Sequence, residues 1–260
     1  MPAERPSPAE ERLLHGLQRR AVREERGLFL AEGVRVAEEL VRAGLGFELA
    51  VVAPSLEETP RGGNLVQRLA RLGEVRRAPE AEVRRLAATD APQGIVVAAH
   101  MPRPDLESLE LSAKATVLAL DGVQDPGNFG TLVRSAHAFD AALVLAMTGT
   151  VDPWNPKSVR AAAGSSFHMP VVLAATTDAI VWLRSRDFAI FAADMNGEPV
   201  ERAHRPDRVA LAVGNEGAGV GDTVMGAADA RVAVRIRGTA ESLNVAVAAA
   251  ILLYVLTREV

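Results

Sequence analysis

The 260 residues include no cysteine, carry 29 Lys and Arg against 33 Asp and Glu for a net charge of -4, and are 48% hydrophobic. These numbers exclude a disulfide framework, a cysteine-bound zinc and a surface uniformly coated with positive charge, and they leave ample length for a sizeable core. A local basic face stays open, because nucleic-acid binding depends on clustering rather than on the sum of charges. The opening MPAERPSPAEERLL lacks the apolar core of a secretory signal, and no later run approaches the about 20 apolar residues of a membrane span. The expectation is a soluble cytoplasmic protein with no membrane contact and no metal.

Residues 8–26 read as one charged helix with Leu13, Leu14, Leu17 and Val22 along one side. GLFLAEG reads as a strand ending at Gly33, and VRVAEELVRAG as a helix stopping at Gly44. FELAVVAP, EVRRAP and GIVVAAH follow as strands, with LVQRLARLG and EAEVRRLAAT as helices between them. The alternation predicts a small α/β sandwich over residues 1–100. Residues 101–112, MPRPDLESLELS, break the pattern with two prolines and scattered charge and read as a linker.

A second domain, residues 113–260, resumes the alternation. ATVLAL, AALVLAM, VVLAA, FAIFAA, VALAV and RVAVRI are short apolar strands, with the helices TLVRSAHAF and IVWLRS between them and the loop TGTVDPWNPKS leading into SVRAAAGSSF. Such strands predict a mainly parallel sheet covered on both faces. The chain closes on SLNVAVAAAILLY, residues 242–254, which is apolar all round after a polar start. That predicts a helix buried on both sides, as a core element or a subunit interface.

Ligands of open α/β sheets bind beyond the carboxyl ends of the strands, which directs attention to three polar loops. In DGVQDPGNFG, Asn128 stands where a helix should begin and reads as a cap, and Arg134 sits on an otherwise apolar turn that calls for an anionic partner. In GNEGAG, Gly214, Gly217 and Gly219 let the backbone approach a ligand, with Glu216 among them. In RGTAESLN, Ser242 reads as the cap of the closing helix and Asn244 is surplus to that purpose. Neither a GxGxxG fingerprint nor a GKS or GKT phosphate loop occurs, which argues against a Rossmann-type enzyme.

In this order and spacing, NFGTLVR, VALAVGNEGAG and GTAESLNVAVAAAILLY resemble the three motifs of the SpoU/TrmH family of RNA ribose 2'-O-methyltransferases, over residues 115–258. The stretch MTGTVDPWNPKSVRAAAGSSFHMPV is similar to the region between the first two motifs. FLAEGVRVAEELVRAG and ATDAPQGIVV resemble the small substrate-binding domain that many members carry. The resemblance implies a SPOUT fold whose C-terminal segment is threaded into a trefoil knot, S-adenosylmethionine held by the knotted loops, and a homodimer with its site near the subunit interface. By motif position it implies active-site roles for Asn128, Arg134, Glu216, Ser242 and Asn244, and a cofactor cradle of Gly214, Val234, Ile236, Leu243 and Asn244. Arg134 is the implied base or electrostatic clamp, whereas His137 and His168 read as structural.

The implied substrate is structured RNA, ribosomal ahead of transfer RNA, held by basic groups of both domains. Arg19, Arg20, Arg23, Lys157 and Arg160 are the candidates. One departure stands out: the family usually has a proline where this chain has Arg235. Two other readings are a non-catalytic RNA-binding protein on the same fold and a ribosomal RNA methyltransferase that confers antibiotic resistance.

Overall fold

The computed structural model describes residues 5–89 and 91–258, so the first four residues of the stretch read for a secretory signal lie outside it. The chain divides into two compact units, residues 1–102 with 154–168, and residues 103–153 with 169–260. No described helix is long and apolar enough to cross a membrane.

The first unit opens with α1 (Pro8–Gly16), α2 (Arg20–Arg26), β1 (Leu28–Glu32), α3 (Val34–Arg42) and β2 (Phe47–Val52). It continues with α4 (Pro54–Glu57), α5 (Pro60–Leu72), β3 (Val75–Arg77), α6 (Glu80–Leu86) and β4 (Ile95–His100). Its sheet runs β1-β4-β2-β3, with β4 antiparallel to both neighbours and β2 parallel to β3. Alternate residues of β1 enter two separate cores, Phe29 and Ala31 on one face and Leu28 and Leu30 on the other. Both faces are covered, which is why the strand is apolar from Leu28 to Ala31.

The single helix expected over residues 8–26 is two helices. α1 ends at Gly16, and the carbonyls of Leu17 and Gln18 accept bonds from Arg23 Nη1 at 2.8 and 2.9 Å. Helix-end carbonyls lack intrahelical donors, and a guanidinium supplies them here. Arg23 is only 2% exposed as a result, which corrects its assignment as an RNA contact.

The second unit begins with β5 (Ala115–Asp121), α7 (Pro126–Ala138) and β6 (Leu143–Ala146). The chain then contributes α8 (Pro156–Ala162) and one 3-10 turn, Ser165–Phe167, to the first unit, so the expected second domain is interrupted. Trp154 and Phe167 set their rings 4.7 and 5.5 Å from that of Phe29. Aromatic pairs at such separations contribute beyond their buried area, and they anchor the excursion at both ends.

The second unit resumes with β7 (Val171–Leu173), α9 (Thr176–Ser185), β8 (Ala189–Pro199), β9 (Arg208–Gly214), α10 (Asp222–Ala227), β10 (Ala230–Ala233) and α11 (Val245–Thr257). Its six strands, ordered β10-β8-β9-β5-β6-β7, are all parallel. One face packs Val117, Ala119, Leu145 and Ala212 against Trp182 and Leu183 of α9 and Val224 of α10. On the other, α11 lies against β9 and α7.

Burial of α11 on both sides does not hold. Ala246, Ala249, Leu252, Leu253 and Leu256 are buried, but Val247, Ile251 and Tyr254 are 48%, 37% and 55% exposed. Their spacing of four and three residues aligns them in one stripe, an apolar face that this chain leaves uncovered.

The caps also differ from expectation. Asp125 caps α7 by accepting from Asn128 N at 2.7 Å, with Pro126 at the first helical position. Asn244, not Ser242, caps α11, its Oδ1 accepting from the amides of Ala246 and Val247 at 2.9 and 3.3 Å. The side chain of Asn128 is therefore not used as a cap, and that of Asn244 is.

Candidate active site

Because β5, β9 and β10 are parallel, the loops that follow them, residues 122–125, 215–221 and 234–244, leave the same edge of the sheet. β9 ends in a tight turn closed by paired backbone bonds between Asn215 and Gly219, 2.9 Å each way. A Cβ on Gly214 would lie 2.0 Å from the carbonyl carbon of Gly219, so only glycine fits there. Asn215 braces the turn, accepting from Gly217 and Ala218 amides at 2.9 and 3.1 Å and donating to Gly122 O at 3.1 Å. Asp121 accepts from Gly221 N at 2.7 Å, and Thr150 links Gly122 N to Leu120 O. Sequence reading passed over Asp121, Asp125, Thr150 and Asn215, although the Asp-Pro pair before α7 is a visible capping signal.

On this frame three expected residues meet. Asn128 Nδ2 donates to Glu216 Oε1 at 3.0 Å, and Asn244 Nδ2 donates to Asn128 Oδ1 at 3.0 Å. The direction of the chain is fixed at its far end, since Asn244 Oδ1 must accept from the helix amides and its Nδ2 must therefore face Asn128. Asn128 then has its oxygen toward Asn244 and its amide toward Glu216. Three loops from three strands are joined by one oriented line, Asn244 to Asn128 to Glu216.

Glu216 also accepts from the backbone amides of Gln124 and Asp125 at 3.3 and 3.1 Å. Partial burial opposes ionisation, but the bonds from Asn128 and from the backbone amides of Glu216, Asp125 and Gln124 outweigh it and hold the carboxyl below its ordinary value of 4.5. A depressed folded-state value stabilises the loop fully above the unfolded value, and that stabilisation is lost as pH falls through the folded value. Amide exchange at Gln124 and Asp125 is expected to accelerate on acidification below about pH 4.5, relative to amides of β5. Glu216→Gln, which cannot accept from both amides and from Asn128 as the carboxylate does, is expected to remove that pH step.

Arg134 is exposed on α7, Ser242 is exposed in the loop before α11, and neither side chain makes a hydrogen bond or ion pair with a described residue. The anionic partner expected for Arg134 is not found among the described residues. Of the cofactor residues, Gly214 is buried, Val234 half-buried, and Ile236 and Leu243 are 36% and 38% exposed. None of residues 234–243 hydrogen-bonds to a described residue, apart from the bonds their neighbours make, so their backbone groups are open to a ligand.

The basic candidates separate into two kinds. Arg19 and Lys157 are exposed, and Arg20 pairs with Glu24 at 2.7 Å. Arg160 is committed to Glu32 at 3.4 Å, an acid only 4% exposed that also accepts from Ala88 N at 2.6 Å. Burial pushes the Glu32 carboxyl up despite those two partners, so Arg160 compensates a buried charge. His168 bonds Glu39 at 3.0 Å, in keeping with its structural reading.

The chain is similar to known proteins over both units. Residues 115–254 match the model of the SpoU rRNA Methylase family, and residues 12–97 match that of an MRM3-like substrate binding domain. The chain is 41% identical over 167 residues to the 23S rRNA (guanosine(2553)-2'-O)-methyltransferase RlmP of Bacillus subtilis, covering 64% of this chain and 65% of that one. It is 28% identical over 250 residues to the 23S rRNA (uridine(2479)-2'-O)-methyltransferase of Streptomyces viridochromogenes, covering 94% and 87%. Among solved structures, the SpoU methyltransferase AviRb of Streptomyces viridochromogenes in complex with AdoMet superposes with a TM-score of 0.87 at 26% identity, covering 96% of this chain and 97% of that one. An AdoMet-bound rRNA methyltransferase from Sinorhizobium meliloti gives 0.85 at 28% identity, covering 97% and 96%. The chain belongs to the SpoU rRNA methylase family.

Proposed function

We propose that this protein transfers a methyl group from S-adenosylmethionine to a ribose 2'-hydroxyl of ribosomal RNA in the cytoplasm, and that it works as a homodimer. The observation that carries the reading is the oriented line Asn244 to Asn128 to Glu216, which fixes three loops at the carboxyl edge of a parallel sheet. Names of relatives with 23S rRNA 2'-O-methyltransferase activity support the substrate class.

The open backbone of residues 234–243, the apolar side chains of Ile236 and Leu243 and the close turn at Gly214 fit a ligand with an apolar ring and hydrogen-bonding edges. S-adenosylmethionine bound there supplies a methyl group on a sulfonium. The chain's own residues supply position, which can account for much of the rate in such an in-line transfer. Asn128 and Glu216 hold the polar end of the site rigid, and Asn244 ties it to the start of α11. Ser242, exposed in the same loop, is assigned to the cofactor side by its motif position.

Two further features of the reading rest on α11. The chain leaves the edge strand β10 and crosses back to lie over β9 and α7, which supports threading of the C-terminal segment into a trefoil knot. The bare stripe of Val247, Ile251 and Tyr254 supports a partner subunit on that face.

Arg134 acts as a clamp on phosphate and on the developing alkoxide, or as the base that the family resemblance implies. Both roles need the planar fork. Arg134→Lys is expected to lower methyl transfer to a 23S rRNA transcript at least about tenfold, with S-adenosylmethionine affinity unchanged by calorimetry. Full rate with lysine would remove both roles.

A further inference from the structure

The loop from β10 to α11 holds two cations that nothing in the described chain neutralises. Arg235 and Arg237 are exposed on either side of Ile236, and neither forms a hydrogen bond or ion pair with a described residue. Four other arginines of the same unit are tied down, whereas Arg134 is not. Arg184 pairs with Asp229 at 2.7 Å, Arg186 with Glu107 at 3.2 Å, and Arg231 with Asp194 at 3.6 Å. Arg208 donates to the carbonyl of Arg186 at 2.9 Å. In a protein of net charge -4, two unspent guanidinium groups in the loop that ends at Asn244 mark a local demand for an anion.

The chemistry of the proposed reaction identifies that anion. A ribose 2'-hydroxyl belongs to a sugar that carries a phosphodiester on the adjacent carbon and another on its 5' side. Any RNA that presents the hydroxyl to Asn128 and Asn244 brings both phosphates to this edge of the sheet, where an acidic protein would otherwise repel them. We propose that Arg235 and Arg237 are positioning residues that clamp the RNA phosphates flanking the target ribose, an inference that rests on the ribose-methylation reading. They set the register of the strand and touch neither the cofactor nor the reacting atoms. Phosphate contacts of this kind orient an RNA without reading its sequence.

The test uses the full chain carrying Arg235→Gln and Arg237→Gln together, bound to a short oligouridylate and to a 23S rRNA transcript. Loss of two phosphate contacts is expected to reduce the slope of log affinity against log salt by about 1.4, so the wild-type advantage shrinks about sevenfold between about 50 and 200 mM salt. The pair Arg235→Lys and Arg237→Lys is expected to keep the slope, since charge carries the effect. S-adenosylmethionine affinity and melting temperature should match wild type in both variants. An unchanged slope overturns the clamp, and so does weakened S-adenosylmethionine binding with the slope retained, which would give the arginines to the cofactor carboxylate. If the wild-type protein transfers no methyl group to RNA, the reading of function fails, while the oligouridylate slopes still judge the clamp.

Discussion

Asn128→Asp is expected to lower methyl transfer about a hundredfold while leaving the fold intact. The substitution removes the Nδ2 donor that meets Glu216 Oε1 at 3.0 Å and places a second carboxylate against the first. Two acids at such a distance cannot both ionise without cost, so one side chain moves or takes up a proton. A displacement of about 1 Å at a positioning residue is enough for a loss of about a hundredfold. Stability is protected for a separate reason. The α7 cap is made by the side chain of Asp125 to the backbone amide of residue 128, which any residue supplies, and an acid in the first turn of a helix is favourable. Single-turnover methyl transfer beside a thermal melt checks the pair of outcomes, and a melt that collapses together with the rate would assign Asn128 to folding instead.

Asn244 separates in the same way with two substitutions. Asn244→Ala loses the side-chain acceptor of the Ala246 and Val247 amides, a change of about 1 kcal/mol at a helix cap, and also breaks the line to Asn128. Asn244→Asp keeps an acceptor in the capping place and adds charge favourable to the helix N-terminus, but it cannot donate to Asn128 Oδ1. The alanine variant is therefore expected to lose both melting temperature and activity, and the aspartate variant to lose activity about a hundredfold at unchanged melting temperature. Wild-type rates in the aspartate variant would reduce Asn244 to a cap and nothing more.

Much of the architecture could be read from the chain because its local signals agree with its packing. Strands such as ATVLAL, apolar but for Thr116, and VALAV are buried because helices cover both faces of their sheet, and their alternation with helices predicts a mainly parallel sheet. The parts that escaped depend on contacts distant in sequence or on a choice between equal signals. Ser242 and Asn244 are comparable capping residues, and only the fold decides that the helix starts at Val245. Arg23 looks like a surface cation until the carbonyls of Leu17 and Gln18 turn toward it. Arg160 looks equally free until Glu32, far earlier in the chain, is found beneath it. The excursion of residues 154–168 into the first unit depends on Phe29, with which Trp154 shares no local pattern. Of the five positions that the family resemblance implies for the active site, Asn128, Glu216 and Asn244 come together by hydrogen bonds, whereas Arg134 and Ser242 are exposed and, in the proposed mechanism, await a ligand or a second subunit.

Ribose methylation of ribosomal RNA is read most directly from a map of 2'-O-methyl groups in total RNA from cells with and without the gene. Deletion is expected to remove a 2'-O-methyl mark from ribosomal RNA, restored by the wild-type gene and not by one encoding Asn128→Asp. An unchanged map of ribose methylation, or a change confined to methyl groups on bases, would contradict it.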